Sequence, residues 1–329
     1  MLHKLSVAPM MGCTDRHCRF LFRLLSPRIM LYSEMITSAA LINGDRQRLL
    51  QHSDDSPCAV QLGGSDPQAL AQAARMVEDS GYQEVNLNCG CPSDRVQQGG
   101  IGACLMAEPD LVADCYRAMA CSVSIPITIK SRIGIDDQDS FDFFATFIGK
   151  IYEAGCRTFH IHARKAILTG LTPKENREIP PLKYDYVSDI AKLFPDAAFS
   201  LNGGIRDAAG SLQLLEQYDG IMLGRAPYAN PYLLNELDQA VHAGEARSRF
   251  DVMQQYVDYA KVEQAGGTHI KHIAKHLLGL FTGVPGARAY RRHLSNHMFS
   301  EGASPDVILE AATLVDQSNI EQSKKEPLE

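Results

Sequence analysis

Apolar and polar positions along this chain alternate between two rhythms. Short, β-prone apolar runs occur at Leu5–Met11, Ile29–Met35, Pro57–Leu62, Glu84–Asn88, Ile125–Lys130, Arg157–His162, Ala197–Asn202 and Asp219–Leu223. Between them, helical spacing predicts helices over about Thr14–Leu25, Pro67–Ser80, Pro109–Cys121, Phe141–Ala154, Tyr184–Phe194, Ala208–Gln217 and Pro231–Val241, with Asp66 and Asp207 as N-caps. The stretch after the second run has no clear period. Alternating strands and helices with buried, Val/Ile-rich strands call for a parallel sheet, and eight such units are what a closed (β/α)8 TIM barrel requires. A doubly wound open sheet is the second reading.

After Ala243 the strands stop. Tyr256–Leu280 and Pro305–Gln322 carry helical spacing, so residues 1–243 are expected to form the barrel and 244–329 a smaller all-α domain, joined by a linker around Gly244–Ser248. The last stretch, Gln317–Glu329, reads as frayed.

Composition narrows the class. An apolar content of 45% and a charged content of 22% are those of a soluble globular protein, and no apolar run reaches the length that spans a bilayer. The chain enters a strand-like segment at once, without a signal peptide, so a cytoplasmic location is expected. Nine cysteines with no CxxC pair argue against a disulfide framework and against iron–sulfur or zinc sites; no metal is expected. The net charge of −7 offers nucleic acid no overall attraction. A local source exists: Lys261, Lys271, Lys275, Arg288, Arg291 and Arg292 stand against the single acid Glu263, a net of +5. Tyr290, His269, His272 and His276 are interleaved, a composition suited to phosphates and unstacked bases, although a solvated helix face reads the same way.

Chemistry gathers at the strand ends. The pivotal stretch is Val85–Ser93, where an apolar run breaks off in Asn88-Cys89-Gly90-Cys91-Pro92 and places an amide and a thiol at a strand's C-terminal end. Other runs end in Pro9-Met10-Met11-Gly12, Ser33-Glu34, Gln61-Leu62-Gly63-Gly64, Lys130-Ser131-Arg132, His160-Ile161-His162-Ala163-Arg164, Asn202-Gly203-Gly204 and Gly224-Arg225. Singly, Lys130 also reads as a paired surface lysine, His160 as a core histidine and Gln61 as a loop amide. Together they are the rim that a barrel uses for catalysis.

Two ends specify a ligand. Glycines after the seventh and eighth runs let backbone N–H groups approach a phosphate, the helix start at Asp207 adds its dipole, and Arg225 adds a forked charge. No GxGxxG or P-loop is present, so the phosphate belongs to a ligand lying across the mouth. Lysine, glutamine and histidine would meet the polar edge of a flat ring backed by Ala8-Pro9-Met10, a description that flavin mononucleotide fits.

These motifs, with Val7–Asp15, Asn86–Ser93, Lys130–Gly134, His160–Arg164, Leu201–Ile205 and Gly224–Ala226, resemble the motif set of the flavin-dependent tRNA-dihydrouridine synthases. Gly170–Leu182 is similar to the insert of the A-type branch, which reduces D-loop uridines 20 and 20a. The resemblance covers nearly the whole chain. It implies a (β/α)8 barrel with FMN at its rim, NADPH or NADH as hydride source, and a C-terminal helical domain that grips tRNA. It implies that Met11, Gln61, Lys130, His162, Asn202, Gly203, Gly204, Gly224 and Arg225 bind FMN; Pro9 and Met10 are expected to back the ring, and Asn88 to hold the flavin or the uracil edge. The expected RNA contacts are Arg95, Arg177 and Lys183, with Arg288, Arg291 and Arg292 of the +5 segment. No membrane, DNA or obligate protein partner is expected.

Reducing the C5–C6 bond of uracil needs a hydride at C6 and a proton at C5. Cys91, matching the family's Gly-Cys-Pro acid, is the expected proton donor, since a free thiol is mostly protonated at neutral pH. Cys89 reads as packing, although an extended segment would turn it to the same side as Cys91. Lys130 would stabilise negative charge on the flavin or the base. Two other classes use part of this set. A dihydroorotate-dehydrogenase-like barrel would need no basic appendage, and a pure RNA-binding protein would need neither Lys130, His162 nor the glycine loops.

Overall fold

The computed structural model describes residues 3–315; the expected frayed end and the far part of the Pro305–Gln322 helix lie outside them. Strands β1 (Leu5–Val7), β2 (Met30–Thr37), β3 (Cys58–Gly63), β4 (Glu84–Cys89), β5 (Ile127–Arg132), β6 (Thr158–His162), β7 (Ala198–Asn202) and β8 (Gly220–Leu223) pair in parallel in chain order and close, β8 against β1. The closed barrel, not the open sheet, is the fold. Its helices bury one stripe each: Leu70, Ala73, Ala74 and Val77 in Pro67–Asp79 follow the i, i+3, i+4, i+7 spacing. Asp66 accepts the Ala69 N–H and Asp207 the Gly210 N–H, as caps do. Short helices at Ser38–Asn43, Arg46–Leu49 and Asp94–Gln97 occupy the aperiodic stretches; four to six residues are too few to show a period.

Register explains why polar side chains converge. Gln61 lies beside Asn86 and Asn86 beside Thr128; Asn88 lies beside Lys130 and Lys130 beside His160; Arg132 lies beside His162 and His162 beside Asn202. Parallel neighbours at equal height put their side chains in layers inside a barrel. A small apolar group, Ala8, Met30, Tyr32, Ala59 and Met222, completes the interior.

The chain forms two compact units. One comprises the residues up to Thr14 and Ile29–Gly224; the other comprises Asp15–Arg28 and Arg225 onward. The division expected after Ala243 therefore falls after Gly224, and Arg16–Leu25 joins the helical unit. Within that unit Phe20 stacks on Tyr259, Arg16 pairs with Glu263, and Tyr256 Oη donates to His17 O at 3.2 Å. Periodicity shows that a helix is amphipathic; it does not say which partner receives the apolar face. The helical spacing read over Tyr256–Leu280 belongs to Arg249–Ala265, a break at Gly266 and Gly267, Ile270–Ala274 and a 3-10 turn at Lys275–Gly279. Among the described residues no helix is long and apolar enough to cross a membrane.

Candidate active site at the barrel mouth

The end of β4 is built by one amide. Asn88 Oδ1 accepts the N–H groups of Gly90 and Cys91, both at 3.0 Å, and its Nδ2 donates to Gln61 Oε1 at 2.8 Å. This side-chain turn ends the extended run, so Cys89 and Cys91 do not share a side. Cys91 is half-buried, with Sγ 3.5 Å from Ser93 Oγ. Cys89 is 0% exposed, and burial, together with Cys115, Cys104 and Cys156, pushes its thiol well up. It is a packing residue.

The end of β5 supplies two cations. Lys130 Nζ donates to Asn202 Oδ1 at 3.0 Å, and Asn202 Nδ2 donates to Met222 O at 2.7 Å, tying β5, β7 and β8 together. Burial, reinforced by Arg132, lowers the Lys130 ammonium to about 7. Arg132, only 3% exposed, donates from Nε to Gly90 O at 3.2 Å and from Nη1 to Lys165 O at 3.0 Å and Asn176 O at 2.8 Å. Both cations interact electrostatically with Cys91. Burial, then Arg132 and Lys130, keeps His162 neutral, far below the usual imidazole range. His160 lies deeper, bonded to Tyr32, and is the core histidine of the alternative reading. Gln61 is 2% exposed inside β3 and is not a loop amide.

Glycine is required where β7 ends. Gly203 and Gly204 have φ of +112° and +76°, and a Cβ would meet His162 Cδ2 at 2.7 Å and Leu182 Cδ1 at 2.6 Å. Gly224 differs: a Cβ there would meet nothing within 4 Å. Arg225 follows it as the first residue of the short helix Arg225–Ala229 and belongs to the helical unit. On the loop after β1, Met11 is 67% exposed, and the Cys13 and Thr14 N–H groups close onto Met10 O.

The segment after β6 is pinned from within. Asn176 is fully buried; its Oδ1 accepts the Ile167 N–H at 2.7 Å and its Nδ2 donates to Ile167 O at 2.8 Å. Arg95 and Arg177 are exposed on this unit. Lys183 is engaged by Asp139 at 3.5 Å and lies 4.6 Å over the Tyr186 ring. In the helical unit, Arg288, Arg291 and Arg292 are exposed on Ala287–His297, while Arg291 Nε also donates to Leu278 O at 3.2 Å. Tyr290 and His276 correct the sequence reading. Tyr290 is fully buried with its hydroxyl on Leu277 O, and His276 is buried against Asp15, so neither is available to a base.

The arrangement was partly missed in the sequence. Arg132 stands in the quoted strand end Lys130-Ser131-Arg132, yet nothing in that run shows that its guanidinium gathers three carbonyls, one from the loop after β4 and two from the segment after β6. Among the described residues no group of three His, Cys, Asp or Glu side chains converges as a metal site needs.

The dihydrouridine synthase (Dus) family model matches residues 6–318. A tRNA-dihydrouridine(20/20a) synthase of Vibrio cholerae serotype O1 is 49% identical over 311 residues, covering 94% of this chain and 95% of the relative. Synthases of the same name from Pseudomonas putida and Escherichia coli O6:H1 are 52% identical over 295 residues and 49% over 317, covering 89% and 95% of this chain and 88% and 96% of theirs. Among solved structures, a 2-naphthoyl-CoA reductase bound to 2-naphthoyl-CoA matches with a TM-score of 0.53 at 11% identity, over 73% of this chain and 50% of that chain, a likeness of fold alone. The eight-stranded barrel and a match over nearly the full length agree: the chain belongs to the dihydrouridine synthase family.

Proposed function

We propose that this chain is an oxidoreductase that reduces the C5–C6 double bond of tRNA uridines 20 and 20a to dihydrouridine, in the cytoplasm, with FMN at the barrel mouth and NADPH or NADH as hydride source. The observation that carries the reading is the end of β4: a half-buried thiol on a loop fixed by Asn88, within electrostatic reach of Lys130 and of the buried Arg132.

The residues fit an FMN. Gln61, Asn88, Lys130 and His162 supply polar atoms at strand ends for a ring edge. Gly203, Gly204, Gly224 and Arg225 follow β7 and β8, where barrel phosphate sites form, and the open space over Gly224 leaves its backbone approachable. Pro9, Met10, Met11 and Asn202 complete the holding set. When bound and reduced, this cofactor supplies the hydride that goes to uracil C6.

The chain's own residues supply the rest. Cys91 Sγ–H gives its proton to C5, and Lys130 and Arg132 stabilise the thiolate left behind; such positioned charges act strongly where water is excluded. Asn88 and Arg132 hold the donor loop from its two backbone sides. Arg95 and Arg177, with Arg288 and Arg292, meet RNA phosphates, positioning the substrate without reading its bases. A stacked uridine reaches such a site only when extruded.

The test is an anaerobic titration. The purified protein should carry bound flavin, which NADPH or NADH bleaches and unmodified tRNA re-oxidises, with dihydrouridine appearing at positions 20 and 20a. Re-oxidation by an orotate-type substrate but not by tRNA would replace this reading with a small-molecule oxidoreductase.

A further inference from the structure

The interior of the barrel contains a polar chain with a single direction. Asn88 Nδ2 donates to Gln61 Oε1 at 2.8 Å, Gln61 Nε2 to Asn86 Oδ1 at 2.8 Å, Asn86 Nδ2 to Thr128 Oγ1 at 2.8 Å, and Thr128 Oγ1 to Glu84 Oε1 at 2.7 Å. Tyr32 Oη donates to the same Glu84 oxygen at 2.5 Å and lies 2.8 Å from His160 Nε2. Every member is buried, with Glu84 5% and Asn86 0% exposed. Strands β3, β4 and β5 supply the chain itself, which runs from the Cys91 loop to the carboxyl, and β2 and β6 bring Tyr32 and His160 to its lower end.

Amides and hydroxyls can be read in two directions. In the reverse direction Thr128 would donate to Asn86, Asn86 to Gln61 and Gln61 to Asn88, and the Asn88 NH2 would then face the Gly90 and Cys91 N–H groups, donor against donor. The observed direction needs an acceptor at its lower end that takes the Thr128 hydroxyl proton, and Glu84 is that acceptor. Burial raises the Glu84 carboxyl to about 7, but neutral or ionised it keeps an oxygen that accepts.

We propose that Glu84 is a positioning residue: through Thr128, Asn86 and Gln61 it sets the orientation of the Asn88 amide and so fixes the loop that carries Cys91. The kinetic part of this inference rests on the proposed dihydrouridine synthesis; the structural part does not.

Two variants at one position test it. Glu84→Gln keeps an acceptor oxygen and should behave as the parent. Glu84→Met removes it and frees the chain to reverse. In Glu84→Met, amide hydrogen exchange should quicken about tenfold at Gly90 and Cys91 while Val85 and Leu87 in β4 stay protected. In single turnover uridine reduction should slow about tenfold, a larger factor than any slowing of flavin reduction by the nicotinamide. Should Glu84→Met fail to fold, Thr128→Val breaks the same chain one link higher and should give the same pattern. Exchange that rises uniformly or not at all, or a Glu84→Gln variant as impaired as Glu84→Met, overturns the inference. The exchange readout needs no RNA, so a failure of the tRNA reading shows only in the parent enzyme's turnover.

Discussion

Arg132 Nη1 donates to the carbonyl oxygen of Asn176 at 2.8 Å, and its Nε holds Gly90 O at 3.2 Å, so one buried guanidinium joins the Gly90–Cys91 loop to the segment that follows β6. A lysine cannot reproduce this fork. Arg132→Lys should lower stability by about 2 kcal/mol, the cost of leaving buried carbonyls unsatisfied. It should slow uridine reduction at least about tenfold with flavin content retained. Thermal unfolding and single-turnover kinetics check the two parts.

The two neighbouring thiols have opposite placements, and their variants should separate. Cys91→Ala should reduce its flavin normally yet lose about 10²–10⁴-fold in uridine reduction, the usual worth of a general acid. Cys89→Ala removes a small buried group behind β4 and should cost stability with turnover largely kept. Turnover that collapses in Cys89→Ala and persists in Cys91→Ala would reverse these roles.

Flavin retention is best tested at Gly224. Gly203 is held by its own backbone and by His162, so any side chain there strains the fold whether or not a cofactor binds. A Cβ at Gly224 meets nothing in the protein. Gly224→Ala should therefore fold with an unchanged melting temperature in its flavin-free form and bind FMN at least about tenfold more weakly. Equal FMN affinity by fluorescence quenching would remove Gly224 from the site.

Lys130 makes a prediction about pH. Its ammonium is lowered from the ordinary 10.5 to about 7, so the folded, flavin-free protein binds fewer protons than the unfolded chain between those values. Stability then rises with pH across that window, and the contribution is lost as pH falls through about 7. Lys130→Met should flatten this part of the curve and stabilise the protein most at pH 6 to 7. Denaturant unfolding from pH 6 to 10 checks the sign.

In the helical unit Arg288 and Arg292 are the better probes of RNA contact, because truncating Arg291 also frees Leu278 O. Arg288→Ala with Arg292→Ala should weaken tRNA binding and flatten the slope of log K against log salt by roughly one to two units. Flavin reduction should not change. An unchanged slope would show that this helix face is only solvated.

The barrel was legible because its strands are short apolar runs with abrupt polar ends; β4 begins at Glu84 as expected and runs one residue further. Asn88, Lys130 and Cys91 were legible as polar groups at such ends. What hydrogen bonds decide was not. Whether Arg132 faces solvent or three carbonyls, and whether Tyr290 offers a ring or fills a core, depends on contacts distant in sequence. Tyr290 and Leu294 form the inward stripe of Ala287–His297, and a count of basic residues cannot separate that stripe from Arg288 and Arg292. The +5 segment was visible as charge; its faces were not.

The assignment of Asp15–Arg28 to the helical unit gives the protein an order of manufacture. Those residues leave the ribosome early, but Tyr259, Glu263 and His276, which receive Phe20, Arg16 and Asp15, are made about 240 to 260 residues later. At 5–20 residues per second the helix waits roughly ten seconds or more before these partners exist. No single cut separates the two units: ending the chain at Gly224 would strand this helix inside the barrel's own sequence, and beginning it at Arg225 would leave the helical unit without its first member.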